Sequence, residues 1–105
     1  MADRVALFRD YLEKKPGDRF AMYSLAFELA KAERFEEAEQ AFVELLQAHP
    51  HSGAGHFQLG QMYVAAGRED DAEAAWEAGL EALKGASGAE VQRSRVEIQA
   101  ALDLL

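Results

Sequence analysis

The residues able to do chemistry here are few. His49, His51 and His56 are the only histidines, gathered around Pro50. Such clustering suggests a metal site, yet the three lack the one-face helical spacing that a strong metal-binding motif supplies. The chain has no cysteine, which removes disulfides, thiolate zinc sites and cysteine nucleophiles. Paired acids stand at Glu36-Glu37 and Asp70-Asp71. Both pairs open helical patterns, where dipole complementation and solubility account for them, and general acid or base work needs a burial this position lacks. Gly53 and Gly55 sit among small residues at a helix start, without the lysine or the preceding strand of a phosphate-cradling loop. No catalytic, metal-binding or cofactor-binding residue is assigned, and the chain reads as a non-enzyme.

The elements that would position these residues are all helices. Apolar residues recur at three- and four-residue spacings, strand-like alternation is nowhere sustained, and proline and glycine fall at the breaks. A first helix is expected over 3–14, with Val5, Phe8 and Leu12, and nearby Leu7 and Tyr11, on one side before Pro16-Gly17. Asp18 caps a second over 19–32, which is apolar nearly all round and needs cover on two sides. A third runs over 35–48 until Pro50. Ser52 caps a fourth reaching residue 66, closed by Gly67, and a fifth spans 69–84. Ser87-Gly88-Ala89-Glu90 has the form of a capping box opening a last helix that ends near Asp103.

Charge narrows the partners. Nineteen acidic against 11 basic residues give a formal charge of -8, which repels phosphate backbones and anionic lipid, so neither nucleic acid nor a membrane is expected. Met1 to Lys15 alternates charged and apolar residues, unlike an export signal, and no stretch reads as a membrane span. The expected compartment is the cytoplasm.

The sequence also repeats itself at an interval of 34 residues. Pro16 and Pro50, Leu25 and Leu59, Arg34 and Arg68, Ala38 and Ala72, Glu39 and Glu73, and Ala41 and Ala75 all obey it. Two series extend over three copies, Phe8, Phe42 and Trp76, and Leu12, Leu46 and Leu80. On these residues the chain resembles the tetratricopeptide repeat (TPR) family, whose helix-turn-helix unit has a leucine and small residue, two aromatics, an alanine and a closing proline at set offsets. Leu59-Gly60, Tyr63, Gly67, Ala72, Trp76 and Leu80 match it best, and Leu25-Ala26, Leu29, Ala38, Phe42, Leu46 and Pro50 match next. Leu29 stands where tyrosine is usual, Glu33 where glycine is frequent and Lys84 where a proline would close the copy.

The resemblance implies an all-α fold of about six antiparallel helices in a short right-handed superhelical array. One TPR domain would cover 1–105, with an N-terminal half repeat over 3–16, full repeats over 17–50 and 51–84, and a C-terminal capping helix over 88–105. Small residues at Ala26, Gly60, Ala38 and Ala72 would let paired helices approach, with Phe42 and Trp76 filling the space beside them. In the last helix Val91, Ile98, Leu102 and Leu105 form an apolar stripe, while Arg93 and Glu97 break the repeat's register, as a cap should.

The resemblance also implies a function. The family commonly binds an extended peptide or a partner helix on the concave surface lined by the first helix of each repeat. By position, that surface here would comprise Phe20, Tyr23, Ser24, Phe27 and Lys31, then Phe57, Gln58, Gln61 and Val64. Its aromatic content suits an apolar or amphipathic ligand. Tyr23, Phe27 and Gln58 occupy the places where one subgroup carries a lysine and asparagine clamp for acidic chaperone tails, so a clamp of that type is excluded. The acids Glu36, Glu39, Glu44, Asp70, Glu73, Glu77 and Glu81 belong to second helices and should form a solvated, convex side. Two readings follow, a protein-interaction adaptor using the concave face, and a self-assembling scaffold pairing through that aromatic face or through repeat ends.

Overall fold

A computed structural model describes residues 3–105; Met1 and Ala2, where the stretch weighed as an export signal begins, lie outside the described residues. Among the described residues every regular element is a helix: α1 Arg4–Lys14, α2 Arg19–Lys31, α3 Phe35–Ala48, α4 Gly53–Ala65, α5 Glu69–Ala82 and α6 Ala89–Asp103. The bounds fall within two residues of those expected, because local chemistry sets them. The Asp18 carboxylate accepts the Ala21 N–H at 2.9 Å at the start of α2, and the Ser52 hydroxyl accepts the Gly55 N–H at 3.1 Å at the start of α4. The helices fall into two compact units, one ending at His49 and the other beginning at Pro50.

In the first unit α1 lies on α2, and α2 pairs with α3 as an antiparallel hairpin. Its core is Ala21, Ala26, Leu29, Ala38, Phe42 and Leu45, all with at most 1% of their surface exposed. Burying side chains the size of Phe42 and Leu29 stabilises by roughly 1.5–3 kcal/mol each. The expected apolar side of α1 is narrower than its composition suggests. Val5 is buried and Phe8 and Leu12 are half-buried, but Leu7 and Tyr11 are 59% and 47% exposed. A helix that rests on one neighbour can bury only one strip.

In the second unit α4 and α5 form the corresponding hairpin, and α6 lies against both. Trp76, Ala72, Leu83, Ile98 and Met62 are its most enclosed apolar side chains. Two glycines of α4 are explained by what approaches them. A Cβ on Gly53 would overlap the Ser94 side chain of α6, and a Cβ on Gly60 would overlap the indole of Trp76. The apolar stripe of α6 is buried at Val91 and Ile98, half-buried at Leu102 and exposed at Leu105.

The turns that end α2 and α4 are copies of one another. The Arg34 N–H donates to the Leu29 carbonyl and the Glu33 N–H to that of Ala30, while Arg68 donates to Tyr63 and Gly67 to Val64. This is the Schellman arrangement, which needs a left-handed residue after the helix. Gly67 takes φ +77° there, and Glu33 is held at φ +60°.

The capping box at the start of α6 does not form as expected. The capping position is Gly88, at φ +113° and ψ +159°, with no side-chain capping hydrogen bond. That backbone region is open essentially to glycine alone, and it moves the helix start on by one residue. Glu90 therefore occupies the second helical position, where a box on Ser87 would have made it the third.

Candidate interaction surface

On α2, Phe20, Tyr23, Ser24, Phe27 and Lys31 recur at three- and four-residue steps and so share one side, opposite buried Leu29. Phe20 is 73% exposed; its ring meets Phe8 of α1 only edge-on, with centroids 6.4 Å apart. Tyr23 and Phe27 stack at 6.0 Å with planes 22° apart, Tyr23 half-buried and Phe27 36% exposed. The result is a preformed aromatic strip, with rings ordered by each other and one face of it left to water.

On α4, Phe57 and Gln58 are half-buried, while Gln61 and Val64 are exposed. The Phe57 ring stacks on Trp76 at 6.4 Å, and the Trp76 Nε1–H donates to the Phe57 carbonyl at 3.0 Å. These contacts fix the Phe57 position from below. Phe57, Gln61 and Val64 open onto a cleft of about 470 Å³ whose other walls are Glu69 and Trp76 of α5, residues of α6 from Glu97 onward, and Leu104 just past its end. A separate cleft of about 340 Å³ in the first unit lies among Leu12, Met22, Leu25 and Ala41, with Arg9, Glu13 and Glu44 at its edge, and includes none of the α2 residues named above.

The charge pattern separates from this surface in one respect and departs from expectation in another. Glu36, Glu44, Asp70, Glu73, Glu77 and Glu81 are exposed and Glu39 is half-buried, and none of the seven lines the α4 cleft. Glu69 and Glu97, which the sequence pattern did not single out for a ligand surface, do line it.

The chemically active side chains are held in structural roles. The Nε2–H of His49 donates to the Gly17 carbonyl at 2.7 Å, and that of His56 to the Pro50 carbonyl at 2.8 Å. Burial holds the His56 pKa below the ordinary histidine value, against the opposing pull of the Pro50 carbonyl, with His51 adding to the depression. Among the described residues no cluster of three or more histidine or acidic side chains is arranged to hold a metal. Of the acid pairs, Glu37 bonds Arg34 Nε at 2.6 Å and Asp71 bonds Arg68 Nε at 2.7 Å. The Arg34 hydrogen bond, with the charges of Arg34 and Arg9, outweighs desolvation and lowers the Glu37 pKa, the reverse of what a proton donor near neutrality requires.

Comparison with known proteins identifies the class. The tetratricopeptide repeat family model matches residues 29–95. The chain belongs to that family. Two solved structures of a tetratricopeptide repeat domain protein from Salinibacter ruber are similar to it. The crystal structure is 29% identical with a TM-score of 0.66, covering 81% of this chain and 91% of that one. The solution NMR structure is 30% identical with a TM-score of 0.70, covering 83% and 85%. No match was found among curated proteins. The family's general role is protein–protein interaction, and its members are typically non-catalytic. Among the described residues no helix is long and apolar enough to cross a membrane.

Proposed function

We propose that this chain is a non-catalytic interaction module that takes a peptide or a partner helix on the outer sides of α2 and α4. These helices are the first members of two repeats, 17–50 and 51–84, with α1 as a preceding half repeat and α6 as a cap; in the family the first helices of the repeats commonly carry the ligand. The observation that carries the reading is the stacked, partly exposed Tyr23–Phe27 pair on α2. Ordered aromatic surface gains most from dehydration and costs little conformational entropy on binding. On α4, Phe57, Gln61 and Val64 offer an apolar floor with an amide beside it, suited to an amphipathic segment.

Exposed Phe20 supports the second reading, pairing of two copies through this aromatic side. Light scattering across a concentration range, together with selection of binding peptides, separates the two. For an adaptor, wild type stays monomeric and yields peptides whose binding is lost in Tyr23→Ser, Phe27→Ser. Concentration-dependent dimers that become folded monomers in that double variant would instead establish self-assembly.

A further inference from the structure

The cleft of the second unit carries a sign of charge as well as a shape. We infer that it receives a partner segment with bulky apolar side chains flanked by lysine or arginine; this rests on reading the α4 side as a docking surface. Phe57 and Val64 of α4 and Leu104, just past the end of α6, supply apolar walls, with Trp76 at the base. The charged residues lining it are Glu69, from the first turn of α5, and Glu97, from α6, and no lysine or arginine joins them. Both carboxylates are exposed.

Their place on the cleft lining, beside apolar walls, sets them apart from the other exposed acids. Glu28, Glu37, Asp71 and Glu81 are each held by an arginine or lysine within 4 Å. Glu69 and Glu97, like Glu73 and Glu77 outside the cleft, have no ion pair among the described residues, so neither cleft carboxylate is already neutralised by the protein. An acidic segment laid on the apolar walls would bring like charges to both carboxylates. A basic one would neutralise two charges that the protein leaves open, while its apolar residues dehydrate Phe57 and Val64. The net charge of -8 favours the same partner during approach.

The test uses two synthetic peptides with one leucine pattern, the polar positions filled by lysine in one and by glutamate in the other. Emission of Trp76, the single tryptophan, reports occupancy. The leucine-lysine peptide should bind about tenfold more tightly than its acidic counterpart and weaken as salt rises. Glu69→Gln with Glu97→Gln should cost it about three- to tenfold in affinity. The charge-matched pair Glu73→Gln with Glu77→Gln, on exposed positions of α5 outside the cleft, should cost less than about twofold. Equal losses in the two double variants would reduce the effect to net charge and overturn the inference. Equal binding of both peptides, abolished by Val64→Ser, would overturn the basic preference and leave the α4 side a docking surface. No binding of either peptide would overturn the inference, and the peptide selection described above then decides the broader reading separately.

Discussion

Gly60 of α4 and Trp76 of α5 are fitted to each other: the glycine leaves the volume that the indole occupies, and the indole Nε1–H donates to the carbonyl of Phe57, one turn before Gly60 on α4, at 3.0 Å. At the positions 34 residues earlier stand Ala26 and Phe42, both fully buried. The small residue gains a methyl where the aromatic loses a ring. Interiors packed to crystal-like density require such an exchange.

This pairing predicts an inverted response to a normally favourable substitution. Glycine to alanine inside a helix usually stabilises by about 1 kcal/mol. Gly60→Ala should instead destabilise by about 1–3 kcal/mol, because the methyl displaces the indole. Gly60→Ala with Trp76→Phe rebuilds the pair found at Ala26 and Phe42, and chemical denaturation should show it recovering about half or more of the loss of Gly60→Ala. Simple additivity of the two losses would show that the residues are not coupled.

The paired turns predict opposite signs at equivalent positions. Glu33 is held at φ +60°, a conformation that costs a residue with a side chain about 1–2 kcal/mol. Glu33→Gly should stabilise by about 1 kcal/mol, net of glycine's greater freedom in the unfolded chain, and Gly67→Ala should destabilise by a similar amount. Thermal melts of the two variants check this, and loss of stability in Glu33→Gly would contradict it.

His56 makes stability depend on pH in a fixed direction. Its folded pKa lies below the ordinary value of 6.5, so the unfolded chain takes up the proton first. The contribution is fully present above pH 6.5 and is lost as pH falls from there towards the depressed folded value. Melting temperature should therefore drop between neutrality and mildly acid pH, and His56→Gln should flatten that part of the profile. Glu37, lowered from 4.5, also contributes stability that is lost on acidification, but its window lies below pH 4.5. An unchanged slope in His56→Gln would show that another group is responsible.

Much of this architecture was legible because its determinants are local. Asp18, Ser52, Pro50 and Gly67 act within a turn of themselves, and the 34-residue interval pairs Ala26 with Gly60 and Phe42 with Trp76. The features that are not legible depend on contacts distant in sequence or on a single backbone angle. Ser94 is buried against Gly53, where a polar residue gives no hydrophobic signal, although its spacing from Val91 and Ile98 marks the same side of α6. Gly88 shifts the α6 cap by one residue through a φ that composition does not disclose. Glu97 lies in the segment that leaves the repeat register, so family offsets could not assign it to the cleft. Leu7 and Tyr11 look like core in α1 and are exposed because one neighbour covers one strip.

The most direct measurement is an amide chemical-shift map of the chain as a selected peptide is titrated in. The largest changes should fall on α2 around Tyr23 and Phe27 and on α4 around Phe57, Gln61 and Val64. Changes concentrated instead on the exposed acids of α3 and α5, around Glu36, Glu73 and Glu77, with α2 and α4 unmoved, would contradict it.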